Sequence, residues 1–196
     1  MDTLRYILGV FIVIGLPPGL AWWFFVHPFT DFWRRRGVAM TMTVMTVFVV
    51  GSMWGLFLVR DPLMGRDLGA NQPLVAVGII LFCAAAFIAM KRKKHLPIRI
   101  LAGVPELQAD EEKRGELLDQ GIYGRIRHPR YVEIIFFTFS YAAISNHVGP
   151  YVVAGLTIPV IHLLVLVEER ELIDRFVEAY REYRERVPRY IPRRAP

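Results

Sequence analysis

The sequence predicts an all-α integral membrane protein with five transmembrane helices, the last two a helical hairpin, followed by a cytoplasmic C-terminal amphipathic helix. Three observations carry this expectation. The 196 residues are 54% hydrophobic, yet they hold 24 Lys+Arg against 18 Asp+Glu. The apolar residues gather in unbroken runs of about 18–22 residues, the length a helix needs to cross hydrocarbon. The basic residues flank those runs, so the formal charge of +6 reads as the positive-inside pattern of a polytopic membrane protein and not as a nucleic-acid surface. The single cysteine, Cys83, sits inside an apolar run. No intrachain disulfide or cysteine-based metal site is open to it, and no metal is expected.

The elements follow in order. Tyr6 to His27 is the first run, and its Gly15-Leu16-Pro17-Pro18-Gly19 centre predicts a kink or break. The run is too long for a simple signal peptide. Trp22 and Trp23 suit an interfacial belt, and Arg34-Arg35-Arg36 mark a cytoplasmic loop. Val38 to Val59 is the second span and Pro73 to Met90 the third, ended by Lys91-Arg92-Lys93-Lys94. A mixed-charge cytoplasmic segment runs over 91–130. From Tyr131 the chain is apolar to Val167 except at Ser145-Asn146-His147-Val148-Gly149-Pro150, a pattern that predicts two antiparallel helices joined by a tight turn. The amino terminus is then outside and the carboxyl terminus cytoplasmic, in the plasma membrane if the source is bacterial. Two regions are expected: a three-span region with its loop over 1–110, and a ligand-binding region with the hairpin over 111–196.

Two stretches carry chemistry. Gly121-Ile122-Tyr123-Gly124-Arg125-Ile126-Arg127-His128-Pro129-Arg130-Tyr131 closes the charged segment and opens the most apolar run. Pro129 biases His128 away from helix and can start the helix that follows. The backbone N–H groups at that start, beside cationic side chains, suit a ligand with anionic or acceptor groups, while a basic anchor at lipid headgroups is the plainer reading. The second stretch is Val167-Glu168-Glu169-Arg170, continued by Leu172, Phe176, Tyr180 and Tyr183 at amphipathic spacing. A short hairpin returns Glu168 and Glu169 to the depth of Arg127 and His128, which makes a polar pocket at the membrane boundary. Carboxylates there are costly unless solvated or facing a polar cavity.

Together Gly121-Ile122-Tyr123, Arg127-His128-Pro129, Tyr131, Ser145-Asn146, Glu168-Glu169, Leu172, Phe176, Tyr180, Tyr183, Val187-Pro188 and Pro192 resemble the isoprenylcysteine carboxyl methyltransferase family, over residues 115–192. Phospholipid N-methyltransferases are similar in the same half. The resemblance implies S-adenosyl-L-methionine as cofactor, held by Tyr123, Arg127, His128, Pro129, Tyr131, Glu168 and Glu169. It also implies methyl transfer to a lipophilic or membrane-embedded acceptor (carboxylate, thiol or amine) entering from the bilayer, with no catalytic residue assigned. The chain departs from the family at Leu164, where an arginine is usual, and at Glu133 and Val177, where small residues are usual. Leu164 counts against prenylcysteine as acceptor and leaves His162 and Arg170 as substrate-binding candidates. The other expectations weighed are an NADPH-dependent reductase of the sterol-reductase type, which resembles the Arg-His-Pro segment, and a non-catalytic membrane scaffold. No nucleic acid is expected as partner.

Overall fold

A computed structural model describes residues 2–94, 107 and 117–193. The expected boundary near residue 110 and the Asp110 to Arg114 charge run lie outside these. The described residues are helical apart from loops and an isolated bridge between Asp67 and His147. In chain order the helices are α1 (Asp2–Val26), a 3-10 turn (His27–Phe29), α2 (Thr30–Arg36), α3 (Val38–Leu58), α4 (Arg60–Met64), α5 (Gln72–Lys93), α6 (Pro129–Ser145), α7 (Val148–Phe176) and α8 (Glu178–Arg186). Among the described residues four helical stretches are long and apolar enough to cross a membrane: Asp2–Arg36, Val38–Leu58, Gln72–Lys93 and Val148–Phe176. The fifth expected span is α6, of 17 residues. At about 1.5 Å per residue it reaches roughly 25 Å, short of a full hydrocarbon core.

The first span corrects one half of an expectation: the prolines do not break it. Pro17 and Pro18 lie inside an unbroken α1. Each proline removes a backbone hydrogen bond, but Pro18 and Leu20 are buried against the rest of the bundle, and that packing holds the helix through the defect. Trp23 likewise turns inward. It is buried with Leu20, Tyr131, Ile161, Leu164 and Val165 and does not sit in a headgroup belt. The 3-10 turn at His27, fixed by Pro28 in its first positions, carries the chain from α1 straight into α2, which ends at Gly37 with φ 83°.

α5 lies along α6, and α1 packs against α3, α6 and α7. The close approach of α5 to α6 is built on Gly78: its carbonyl accepts the Ser140 hydroxyl at 2.8 Å, and a Cβ there would meet Ile144 Cγ1 at 2.5 Å. Deeper toward the charged end, Arg92 and Glu133 form a buried two-point ion pair at 2.8 and 3.1 Å. The small residue expected by family resemblance at position 133 is thus replaced by the partner of an arginine that sequence reading treated as a topology signal.

The hairpin turn is as the sequence indicates. Asn146 adopts the left-handed conformation (φ 51°, ψ 47°) and its N–H caps Ala142 at 2.8 Å. Its amide donates to the Gly69 carbonyl at 2.8 Å, so the loop after α4 is fastened across the turn. Asp67 secures the same loop, paired with Arg5 and accepting from the Gly69 N–H at 2.8 Å. That N–H, and next the Arg5 guanidinium, hold the Asp67 carboxyl below the usual range.

The carboxyl-terminal helix is not the continuous rod expected. α7 stops at Phe176, and Val177 turns the chain with φ 45° and ψ −111°. The turn folds Tyr180 and Tyr183 back onto Leu172, Ile173 and Phe176, burial that a straight helix would forfeit. Positive φ is a conformation β-branched residues resist and glycine accepts. Val177→Gly should therefore raise stability by about 1 kcal/mol, net of glycine's added chain entropy. Thermal melting in detergent measures it; an unchanged or lower midpoint would show that the turn carries no strain.

Candidate functional site

The site is assembled where the Arg127–Tyr131 turn meets the end of α7. Arg127 and His128 are placed by the chain's tail: the Arg127 N–H donates to the Pro188 carbonyl at 2.9 Å and the His128 N–H to the Arg189 carbonyl at 3.1 Å. Pro129 then starts α6, with His128 outside the helical region (φ −120°, ψ 57°) as its cap residue.

Glu169, 3% exposed, is the hub. Its Oε1 accepts from Arg127 at 2.8 and 3.1 Å and lies 3.1 Å from His128 Nε2. Its Oε2 accepts from Arg189 at 2.7 and 3.1 Å. The Arg127 guanidinium also donates to the carbonyls of Arg184 and Val187. Arg127 and Glu169 therefore clamp the tail to the membrane helices, and Glu169 lines neither of the two cavities described below.

Glu168 has a different environment. It accepts from the Tyr131 hydroxyl, and its Oε2 lies 4.0 Å from His128 Nδ1. It opens on a cavity of about 110 Å³ also lined by Trp23, His27, Tyr123, Arg127, His128, Pro129, Arg130, Tyr131, Arg175, Phe176, Tyr180 and Tyr183. Tyr123 is held by the chain around it, its carbonyl accepting from the Tyr183 hydroxyl at 2.7 Å. Burial pushes the phenols of Tyr123, Tyr180 and Tyr183 up, so they stay protonated donors across the physiological range. Six expected site residues (Tyr123, Arg127, His128, Pro129, Tyr131 and Glu168) thus line one small chamber of mixed polar and apolar walls.

The remaining candidates separate. His162 is exposed, and its Nδ1 lies 3.3 Å from the Tyr190 hydroxyl. It lines a second cavity of about 1110 Å³, walled by Phe87, Ile88, Val132, Ile135, Phe136, Ile158 and Ile161 and edged by Lys91, Lys94 and Arg125. Arg170 is exposed and lines neither cavity. Leu164 is fully buried among Leu20, Trp23 and Tyr131, a place with no room for a solvated cation.

Two contributors escaped sequence reading. Arg189 sits between Pro188 and Pro192 in a tail to which the sequence reading assigns no site residue. His27 ends the first apolar run, where it looks like an interfacial residue. The structure buries it, 5% exposed, stacked on Trp23 with ring centroids 5.2 Å apart, while Arg130 covers the Trp23 ring at 4.5 Å. A signal did exist: His27-Pro28 repeats the His-Pro pairing of His128-Pro129.

No family model matches this chain, and no solved structure matches it. Over 81 residues, 41% of the chain, it is 32% identical to an L-rhamnose-proton symporter of Pectobacterium atrosepticum. The match covers 22% of that symporter's length. This overturns the methyltransferase expectation, both the isoprenylcysteine carboxyl methyltransferase-like family and the S-adenosylmethionine-dependent reaction, since the relative found is a transporter. The reductase and scaffold alternatives gain no support from it. The geometry supplies a reason for the misleading resemblance. An arginine turn meeting a glutamate balances charge at the end of a membrane helix, as Arg127 and Glu169 do here, whatever chemistry the protein performs. The structure and the relative agree on the coarser statement: the chain is an integral membrane protein.

Proposed function

We propose that this chain is a membrane transport protein that moves an amphiphilic solute in step with protons. The observation that carries the reading is the 1110 Å³ cavity among α5, α6 and α7, apolar along its walls and cationic at its edge through Lys91, Lys94 and Arg125. Ile126 and Tyr190 line it as well, and they neighbour in sequence the Arg127 and Arg189 that hold Glu169. Apolar pockets with a few convergent polar groups bind ligands, and buried carboxylate–histidine clusters in membrane helices serve as proton relays. The name of the symporter relative agrees with proton linkage.

Lys91, Arg92 and Lys93 close α5, so this end faces the cytoplasm by the positive-inside rule, with the amino terminus outside. A bare sugar would leave its hydroxyls unpaired against Phe87, Ile135 and Phe136, at a cost of about 1–3 kcal/mol for each buried group. The expected solute has an apolar body and a head that is anionic or rich in hydroxyls.

Proteoliposomes enclosing a pH-sensitive dye test this. An alkyl L-rhamnoside should drive proton movement, and L-rhamnose should do so weakly. Absence of proton movement with both probes would sink the reading. So would saturable binding of S-adenosylmethionine, the ligand the resemblance implied, without proton movement.

A further inference from the structure

We propose that His27 and Glu168 form a proton-binding pair across the small chamber, joining α1 to α7. The pair stands on geometry, while its role in coupling rests on the transport reading above. His27 is buried, yet among the described residues its Nδ1 has no hydrogen-bond partner. The Tyr180 hydroxyl is likewise buried with no partner among the described residues. Both residues line the 110 Å³ cavity on which Glu168 opens. Leaving two buried polar atoms unsatisfied in one small space would cost about 1–3 kcal/mol each. A cavity of this size holds several waters; a small side-chain shift that uncovers His27 Nδ1 and the Tyr180 hydroxyl would let such water bridge them to Glu168, remove that cost and give protons a path.

The chemistry balances simply. A proton arriving through water bonds to the Nδ1 lone pair of His27, and the imidazolium formed is offset by the Glu168 carboxylate. The proton leaves to water by the same route. Among the described residues, the charged and titratable groups facing His27 are Glu168 and Arg175 on α7, with Arg130 and His128 at the start of α6. Of these the Glu168 carboxylate alone favours the imidazolium, and the Tyr131 hydroxyl already orients it. Stacking on Trp23 fixes the ring.

Histidine-labelled protein in detergent tests the pair directly. The chain has five histidines, and the ring-nitrogen resonance lost in His27→Gln identifies His27. If His27→Gln does not fold, by its melting curve, His27→Asn serves the same purpose. In Glu168→Gln the His27 resonance should titrate at a pH lower by about one unit, a tenfold loss of proton affinity, because the charge that favours imidazolium is gone. The exposed His162 should not move. A His27 resonance unmoved by Glu168→Gln, or moved no more than that of His162, overturns the pair.

Its role is read separately in proteoliposomes. His27→Gln should keep solute exchange and lose proton-driven accumulation, and intact accumulation would overturn the role. If the unmodified protein moves no solute while the two groups still titrate as a pair, the transport reading falls and the pair stands.

Discussion

Glu169→Ala should cost about 3–5 kcal/mol of folding stability, the range for removing one partner of a buried ion cluster. The loss comes from what is left behind. Arg127, with 7% of its side chain exposed, would keep its two carbonyl acceptors but lose its counter-charge, Arg189 would lose its own, and His128 Nε2 would lose its carboxylate neighbour. The tail carrying Pro188 and Arg189, which holds the Arg127–His128 backbone, should detach first. Glu168→Gln is the comparison: it weakens one bond to Tyr131 beside a cavity and should cost about 1 kcal/mol. Melting curves in detergent, with proteolysis of the tail as a local readout, measure both. Equal losses in the two variants would contradict the division of labour between the carboxylates.

A second large effect is expected from one methyl group. Gly149 lies in the first turn of α7 against the end of α4, and a Cβ added there would stand 1.9 Å from the Leu63 carbonyl oxygen and 2.9 Å from that of Met64. Backbone cannot rotate away as a side chain can, so α7 must shift, and Gly149→Ala should cost about 3 kcal/mol. Gly155, two turns along the same helix, meets nothing within 4 Å. There the usual helix preference for alanine applies, and Gly155→Ala should gain about 0.5–1 kcal/mol. Opposite shifts in melting midpoint are the expected result; two shifts of the same sign would show that α4 and α7 are not in this contact.

The helices were readable because hydrocarbon demands apolar length and the charged loops interrupt it. The hairpin turn was readable because Ser145-Asn146 and Gly149-Pro150 break a run that is otherwise continuous. The meeting of Arg127 and His128 with Glu169 followed from returning the chain to its starting depth. What escaped needed packing information. Whether Pro17 and Pro18 break α1 is decided by the helices around them, not by local propensity. Val177 carries no sequence signal of a turn, since a valine there is a penalty that the burial of Tyr180 and Tyr183 outweighs. His27 and Glu133 could not be assigned because their counterparts, Glu168 and Arg92, lie far away in sequence. The functional reading failed for a related reason: residues that balance charge at a membrane boundary look alike in proteins of unlike activity.

α3 buries little more than Thr41 and Met45, and it turns Met40, Val44, Val47, Val50, Trp54 and Leu58 outward. It has neither the glycine seam nor the ion pair that fixes α5 to α6. A helix held so loosely takes its tilt from the lipid. Its 21 residues span about 31 Å, close to the thickness of an average hydrocarbon layer. In thinner bilayers α3 would lean while the rest of the bundle kept its angles. Because α1 is the helix it leans on, and α1 runs directly into His27, a lean of α3 would bear on the helix that carries the chamber's histidine.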